Sequence, residues 1–599
     1  MKNQSKFIGA AFERSLIKSL GRTPLLVLGL LLLGGCASNA QIEPAIVEAN
    51  PPGEIQTPIE AGKPKPADYP VAPFQEDSLY QLLVAEVAGY RQDYETALKK
   101  YMEMAEQTRD AGVAARATRL ANYLKRHALT LKAAQIWAEV EPDNIDAHRH
   151  TADQLMRSGD LEGAVHHMEA IMNLGGLANF DVFAYRAANL DAASRDSLLA
   201  AMTGLSARHP DNTQLKFARA VLLEQKGEFE AALALADEML EADSVTNVII
   251  LKVNALKGLH RSEDAISFLK DIIGESSGNT RRLRLMYARF LFEGQRLDDA
   301  RIEYEIVLKE TPRDGDVLFA LALVAIEQKR DAEAKDYFQQ MIRWNRRVGE
   351  AHFYLGSIAE KNKQTPEALK AYQQVSQGYE FLPAQARIAR LMLEQGSLEE
   401  MQHYFSNVRA RKPQLANQMV MIEVQALSQR ALKSAVFSLL DSYIDSHPEN
   451  IEMLYFRGMT GQRFDRVDIL ERDLREVIRL DPNNSEALNA LGYTLTDQLD
   501  RHEEALDLIS RAIKIKPNEP AYIDSMGWVQ FRLNNLDEAI LHLRRALALF
   551  TNDEVAAHLG EALWSAGEKI EANKIWLKAL DLAPDSKILK EVIERLTGH

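Results

Sequence analysis

Ser276 lies in Gly274-Glu-Ser276-Ser-Gly278. On a sharp turn between a strand and a helix, that spacing exposes a nucleophilic hydroxyl for acyl transfer. Here a helical period ends at Ile273 and resumes near Thr280, so the segment reads as a turn between helices, and an enzyme is not expected. Two histidine pairs, His148-Arg-His150 and His166-His167, have ligand chemistry. No cysteine or organised carboxylates accompany them, so they read as helix-surface histidines with no metal site. His502-Glu503-Glu504 lacks the second histidine of a zinc-peptidase helix, and no phosphate-cradling Gly-x-x-x-x-Gly-Lys-Ser/Thr loop occurs. No cofactor is expected. Basic clusters at Arg281-Arg282-Leu-Arg284, Arg343-Trp-Asn-Arg346-Arg347 and Arg409-Ala-Arg411-Lys412 read either as solvated faces and dipole-balancing helix ends, or as a docking surface for an acidic partner. The formal charge is −15, or −19 once the basic first 35 residues are set aside. Nucleic acid, whose binding requires neutralised phosphates, is not an expected partner.

The elements that would position these residues are helices. Hydrophobic residues make up 46% of the chain and charged residues 26%, with the helical period running from Ser78 onward. Leu491-Gly492, Met526-Gly527 and Leu559-Gly560 are followed by Ala505, Ala539 and Ala572, then by Ala512, Ala546 and Ala579. The spacing of 34 and 33 residues is the tetratricopeptide pattern. Gly and Ala fit where the two helices of a hairpin cross, because larger side chains would hold the backbones apart. The same ruler gives Ala97, Ala133, Ala164, a degenerate Leu198, Ala232, Ala265, Ala300, Ala334, Ala368, Met401, Ala435 and Leu470. These mark about fifteen hairpins, or about ten to eleven on a stricter count of the degenerate amino-terminal units, with bulky Met401 and Leu470 predicting wider crossings. The expected fold is an all-α tetratricopeptide-repeat solenoid, a right-handed superhelix of hairpins over residues 78–586, closed by a solvating cap helix within 587–599.

Residues 1–35 have a basic start and a ten-residue apolar run, Pro24–Leu33, too short to span a bilayer; they read as a signal peptide. Residues 36–77 read as a tether, with eight of the chain's 20 prolines in 37–73. Leu33-Gly34-Gly35-Cys36 resembles the lipobox of bacterial lipoproteins, and Cys36 is the only cysteine. The resemblance implies cleavage before Cys36, a diacylglyceryl thioether on its sulfur and acylation of the new amino terminus. Ala37, rather than Asp, implies export to the outer membrane, with the chain lipid-anchored on the periplasmic face.

Residues one and four after each Gly point inward in tetratricopeptide superhelices: Tyr493 and Thr496, Trp528 and Phe531, Glu561 and Trp564. They read as an amphipathic groove for a peptide or partner helix, or else as packing between helices. The segments LNALGYTLTDQ (488–498), AYIDSMGWVQFRL (521–533) and EVAAHLGEALW (554–564) resemble a proteobacterial family of tetratricopeptide lipoproteins. The family's known representative binds and activates the periplasmic carboxyl-terminal processing protease. The resemblance implies an adaptor that holds this protease near the outer membrane and presents substrates, such as hydrolases that cut peptidoglycan cross-links. The alternative is a scaffold for an outer-membrane export or assembly machine.

Overall fold

The computed structural model describes residues 76–242, 245–275 and 280–598. The signal segment, Cys36, most of the tether and Ser276 lie outside the described residues. Gly274 and Glu275 end one helix and Thr280 precedes the next, so the Gly-x-Ser-x-Gly segment has helices on both sides.

Among the described residues there are 31 α-helices and no strand. They run in order as fifteen hairpins, from Glu76–Tyr90 with Tyr94–Thr108 to Asp553–Ser565 with Lys569–Leu582, and a closing helix, Lys587–Thr597. They group into two compact units, one up to Tyr337 and one from Phe338, divided within Asp331–Arg343. No described helix is long and apolar enough to cross a membrane.

Local chemistry sets the helix ends. Asn450, Asn484 and Asn552 each accept a hydrogen bond from a backbone N–H two or three residues on, satisfying donors that a helix leaves open. Within fourteen of the fifteen hairpins the chain reverses through one residue with positive φ, such as Asp465, Asp500, Asn534 or Gly567. Only four of these fourteen are glycine. The others accept a conformation that disfavours a Cβ, so packing of the two helices closes the turn without a clear glycine signal.

The ruler residues lie at the crossings. All are fully buried except Ala435, which is half-buried, and its neighbour Val436 is buried in its place. The register there runs one residue later than the small residue indicated. In the second hairpin, Thr130 stands three residues into His127–Val140, as Ala164 does in Leu161–Asn173. Thr130 is therefore the equivalent position, and Ala133 lies one turn further on. At Leu470 the approach is slightly wider, in the expected direction. Gly458 faces Leu470 from the first helix, as Gly492 and Gly527 face Ala505 and Ala539, and a Cβ on it would stand 3.6 Å from the Leu470 carbonyl oxygen, against 3.1 and 3.2 Å for Gly492 on Ala505 and Gly527 on Ala539. No glycine stands in the helix opposite Met401, Phe381–Glu394.

Two further readings change. His148 is buried; its Nδ1 lies 2.7 Å from Nδ1 of His167, and its Nε2 lies 2.8 Å from the Pro142 carbonyl. Burial, with the neighbouring His148 and His166, pushes His167 down to about 4. These two pack against each other where the two helices of one hairpin, Ile145–Ser158 and Leu161–Asn173, close. No group of three or more metal-ligand side chains forms among the described residues. The basic clusters are engaged within the array: Arg284 with Glu303 at 2.7 Å, Arg347 with Glu350 at 3.1 Å, Arg281 with Asp314, and Arg409 with the buried Glu423. Lys412 caps the ring of Phe381.

Candidate partner-binding surface

Three hairpins carry the surface singled out by sequence: Ser485–Asp497 with His502–Ile515, Pro520–Arg532 with Leu536–Leu549, and Asp553–Ser565 with Lys569–Leu582. Glycine allows each pair to close. A Cβ on Gly492 would stand 2.6 Å from Ile509 Cγ1, one on Gly527 2.5 Å from Leu543 Cγ, and one on Gly560 1.9 Å from Trp576 Nε1.

That close approach places the groove candidates differently from an open strip. Tyr493, Trp528 and Glu561 are about 5% exposed and Thr496 is fully buried, whereas Phe531 and Trp564 are half-buried. The Tyr493 hydroxyl donates to Glu554 Oε1 at 3.1 Å, linking the first of these hairpins to the third. The Thr496 hydroxyl donates to the Gly492 carbonyl. Trp528 stacks on His558 at 4.2 Å between ring centroids and on Phe531 at 5.1 Å. Its indole N–H faces Asp497 without reaching a hydrogen bond. Glu561 accepts from Arg595 of the closing helix at 2.7 Å. Trp564 packs 5.8 Å from Trp576, with the Lys569 ammonium over its ring. Of the two readings, packing between helices holds for Tyr493, Thr496, Trp528 and Glu561. Phe531 and Trp564 keep an accessible edge.

At the centre is a buried polar cluster that sequence reasoning did not single out. His558 Nδ1 lies 3.1 and 3.2 Å from the two carboxylate oxygens of Asp524. Burial opposes charge on His558, but Asp524, Glu554 and Asp497 outweigh it and push the imidazole up to about 9. Burial raises the Glu554 carboxyl to about 7 against the opposing pull of His558. Burial and the neighbouring carboxylates raise the Tyr493 phenol well above its usual range. A usable signal was present: Glu554 and His558 are four apart on one helix face, and Asp524 precedes His558 by one repeat. With every member nearly closed to solvent, the cluster ties hairpins together and offers no approach to a reacting molecule.

A partly apolar space opens elsewhere in the last two hairpins. A cavity of about 650 Å³ is lined by Leu547, Phe550, Leu559, Ile575 and Leu582, with Arg544 and Lys578 at its edge. It borders an irregular connection. Asp481, Pro482 and Asn483 separate one second helix from the next cap, and Lys516, Pro517 and Asn518 the following one, but only Phe550 and Thr551 stand between Leu549 and the cap Asn552. The missing proline and the shortened 33-residue spacing are legible in the sequence. The cavity they border is not.

Stacked helical hairpins with glycine and alanine at their crossings define a tetratricopeptide-repeat protein. A tetratricopeptide-repeat family model matches residues 185–245, 285–346, 332–381 and 471–520. The chain belongs to the same family as the TPR repeat-containing protein PA4667 of Pseudomonas aeruginosa, with 40% identity over 583 residues, 97% of this chain and 98% of that one. Human protein O-mannosyl-transferase TMTC1 is 30% identical over 102 residues, 16% of this chain and 12% of its own. Among solved structures, MamA protein overlays 27% of this chain and 89% of its own at 21% identity and a TM-score of 0.25. Membership of this repeat family makes protein–protein contact its general role.

Proposed function

We propose that this chain is a lipid-anchored adaptor on the periplasmic face of the outer membrane. In this reading it binds a carboxyl-terminal processing protease, activates or localises it, and presents its substrates, and it is not itself an enzyme. The supporting observation is similarity along nearly the whole chain to PA4667, joined to a lipobox at Cys36 and the motifs of the last three hairpins. A non-catalytic role agrees with the chemistry of the buried cluster, whose titratable groups satisfy one another inside the packing. We assign partner contact to the last two hairpins, where Phe531 and Trp564 keep accessible edges and the apolar cavity opens. Such edges beside polar rims are the anatomy of interface anchors.

The test is direct binding of the purified full-length chain to a purified processing protease from the same cells, by surface resonance or calorimetry. The reading expects saturable binding, weakened by Phe531→Ala with Trp564→Ala. No binding to the protease, with capture instead of outer-membrane barrel or secretin subunits, would replace it with the export-scaffold reading.

A further inference from the structure

The first hairpin exposes a surface that other hairpins bury. Counting back 17, 14 and 10 residues from the ruler residue gives Met453, Phe456 and Thr460 from Leu470. The same count gives Tyr522, Ser525 and Val529 from Ala539, and Val555, His558 and Ala562 from Ala572. All nine are buried. They lie on the side facing the preceding hairpin, as the Tyr522–Ser485 and His558–Asp524 contacts show. In the first hairpin the same count from Ala97 gives Tyr80, Leu83 and Val87, which are 65%, 54% and 50% exposed. Leu79 and Tyr90 extend this face and are exposed too. The opposite side of Glu76–Tyr90, at Ser78, Ala85 and Ala88, is the side packed into the array.

The other end of the array is finished differently. The closing helix Lys587–Thr597 buries Leu589 and Val592 and turns Lys587, Lys590, Glu591 and Glu594 to solvent. A repeat array needs such a polar end for solubility. The amino-terminal end has an apolar stripe instead.

We infer that the stripe on Glu76–Tyr90 is an interface with a second copy of this chain, the two first helices packing antiparallel about a two-fold axis. Tyr80, Leu83, Val87 and Tyr90 follow the three-four-three spacing of a coiled-coil seam. In antiparallel register Tyr80 meets Tyr90 of the other copy, and Leu83 meets Val87. The flanking charges are self-complementary: exposed Asp77 at one end of the helix falls beside exposed Arg91 of the other copy, and the same pairing repeats across the axis. Glu86, which also flanks the seam, is already neutralised by Arg116. Because the outer face of the closing helix is charged, it does not match the apolar stripe, and the two-fold contact closes as a dimer.

The measurement is the mass of the mature full-length chain in detergent across the micromolar range, by sedimentation or light scattering. Wild type should be dimeric with a dissociation constant on the order of micromolar. Leu83→Asp should be monomeric, with circular dichroism and melting checked on the same sample. The charge variants hold independently of any folding defect in Leu83→Asp. Asp77→Arg and Arg91→Asp alone should each weaken the dimer by about tenfold, and Asp77→Arg with Arg91→Asp should restore it. A wild-type chain that stays monomeric, a dimer indifferent to Leu83→Asp, or single charge reversals that the double variant fails to rescue would overturn the proposal.

Discussion

Trp528 shows how a residue's type and register position leave its environment open. Its position after Gly527 suited a groove anchor, but in the folded chain it lies between His558 and Phe531. Truncation should therefore act on stability first. Trp528→Ala is expected to cost about 3–5 kcal/mol by emptying a buried aromatic site, read as a lowered melting transition in the last hairpins. Unchanged melting would place the ring at the surface. The His558 cluster gives a pH dependence of defined sign. Its folded pKa, about 9, lies above the unfolded value of about 6.5, so the folded state holds the proton more tightly. The resulting stability is fully present below pH ~6.5 and is lost as pH rises through ~9. A shift of this size corresponds to about 3 kcal/mol. Between pH 6.5 and 9.5 the stability of the last hairpins should fall, and His558→Gln should flatten that slope while lowering stability at neutral pH. An unchanged slope in the variant would assign the titration to another group.

At the scale of the element, the repeat was legible because a crossing imposes a steric demand that only Gly and Ala meet cheaply. That demand located all fifteen second helices. It misled where the protein met it in other ways, through buried Thr130 in place of Ala133 and through Val436 beside half-buried Ala435. The inner face was legible as a set of register positions, but its closure was not. Closure depends on how near successive hairpins come, and a single repeat does not encode that distance. Ala539→Leu tests the crossing. Ala539 is fully buried, and its carbonyl oxygen would stand 3.2 Å from a Cβ on Gly527, so a larger side chain has no space. The cost should be about 1–3 kcal/mol. Because each hairpin packs mainly on its neighbours, faster hydrogen exchange should stay within about residues 520–572. A uniform rise from residue 78 onward would contradict the quasi-one-dimensional picture.

At the scale of the whole molecule, the proposed function needs a membrane anchor and a tether ahead of the repeat array. On the proposed reading, acyl chains on Cys36 would supply the attachment, since several buried chains at about 0.8 kcal/mol per CH2 are needed for stable anchoring. Cys36→Ser should leave the array folded but release it from washed membranes; a variant still found in the outer membrane would end the lipoprotein reading. The proposed adaptor action would appear in protease turnover. Cleavage of a peptidoglycan cross-link hydrolase by the purified processing protease should be measured with and without the full-length chain. The account predicts a marked rise in rate that saturates with the chain, with no cleavage by the chain alone. Equal rates with and without saturating chain, or hydrolysis by the chain itself, would contradict it.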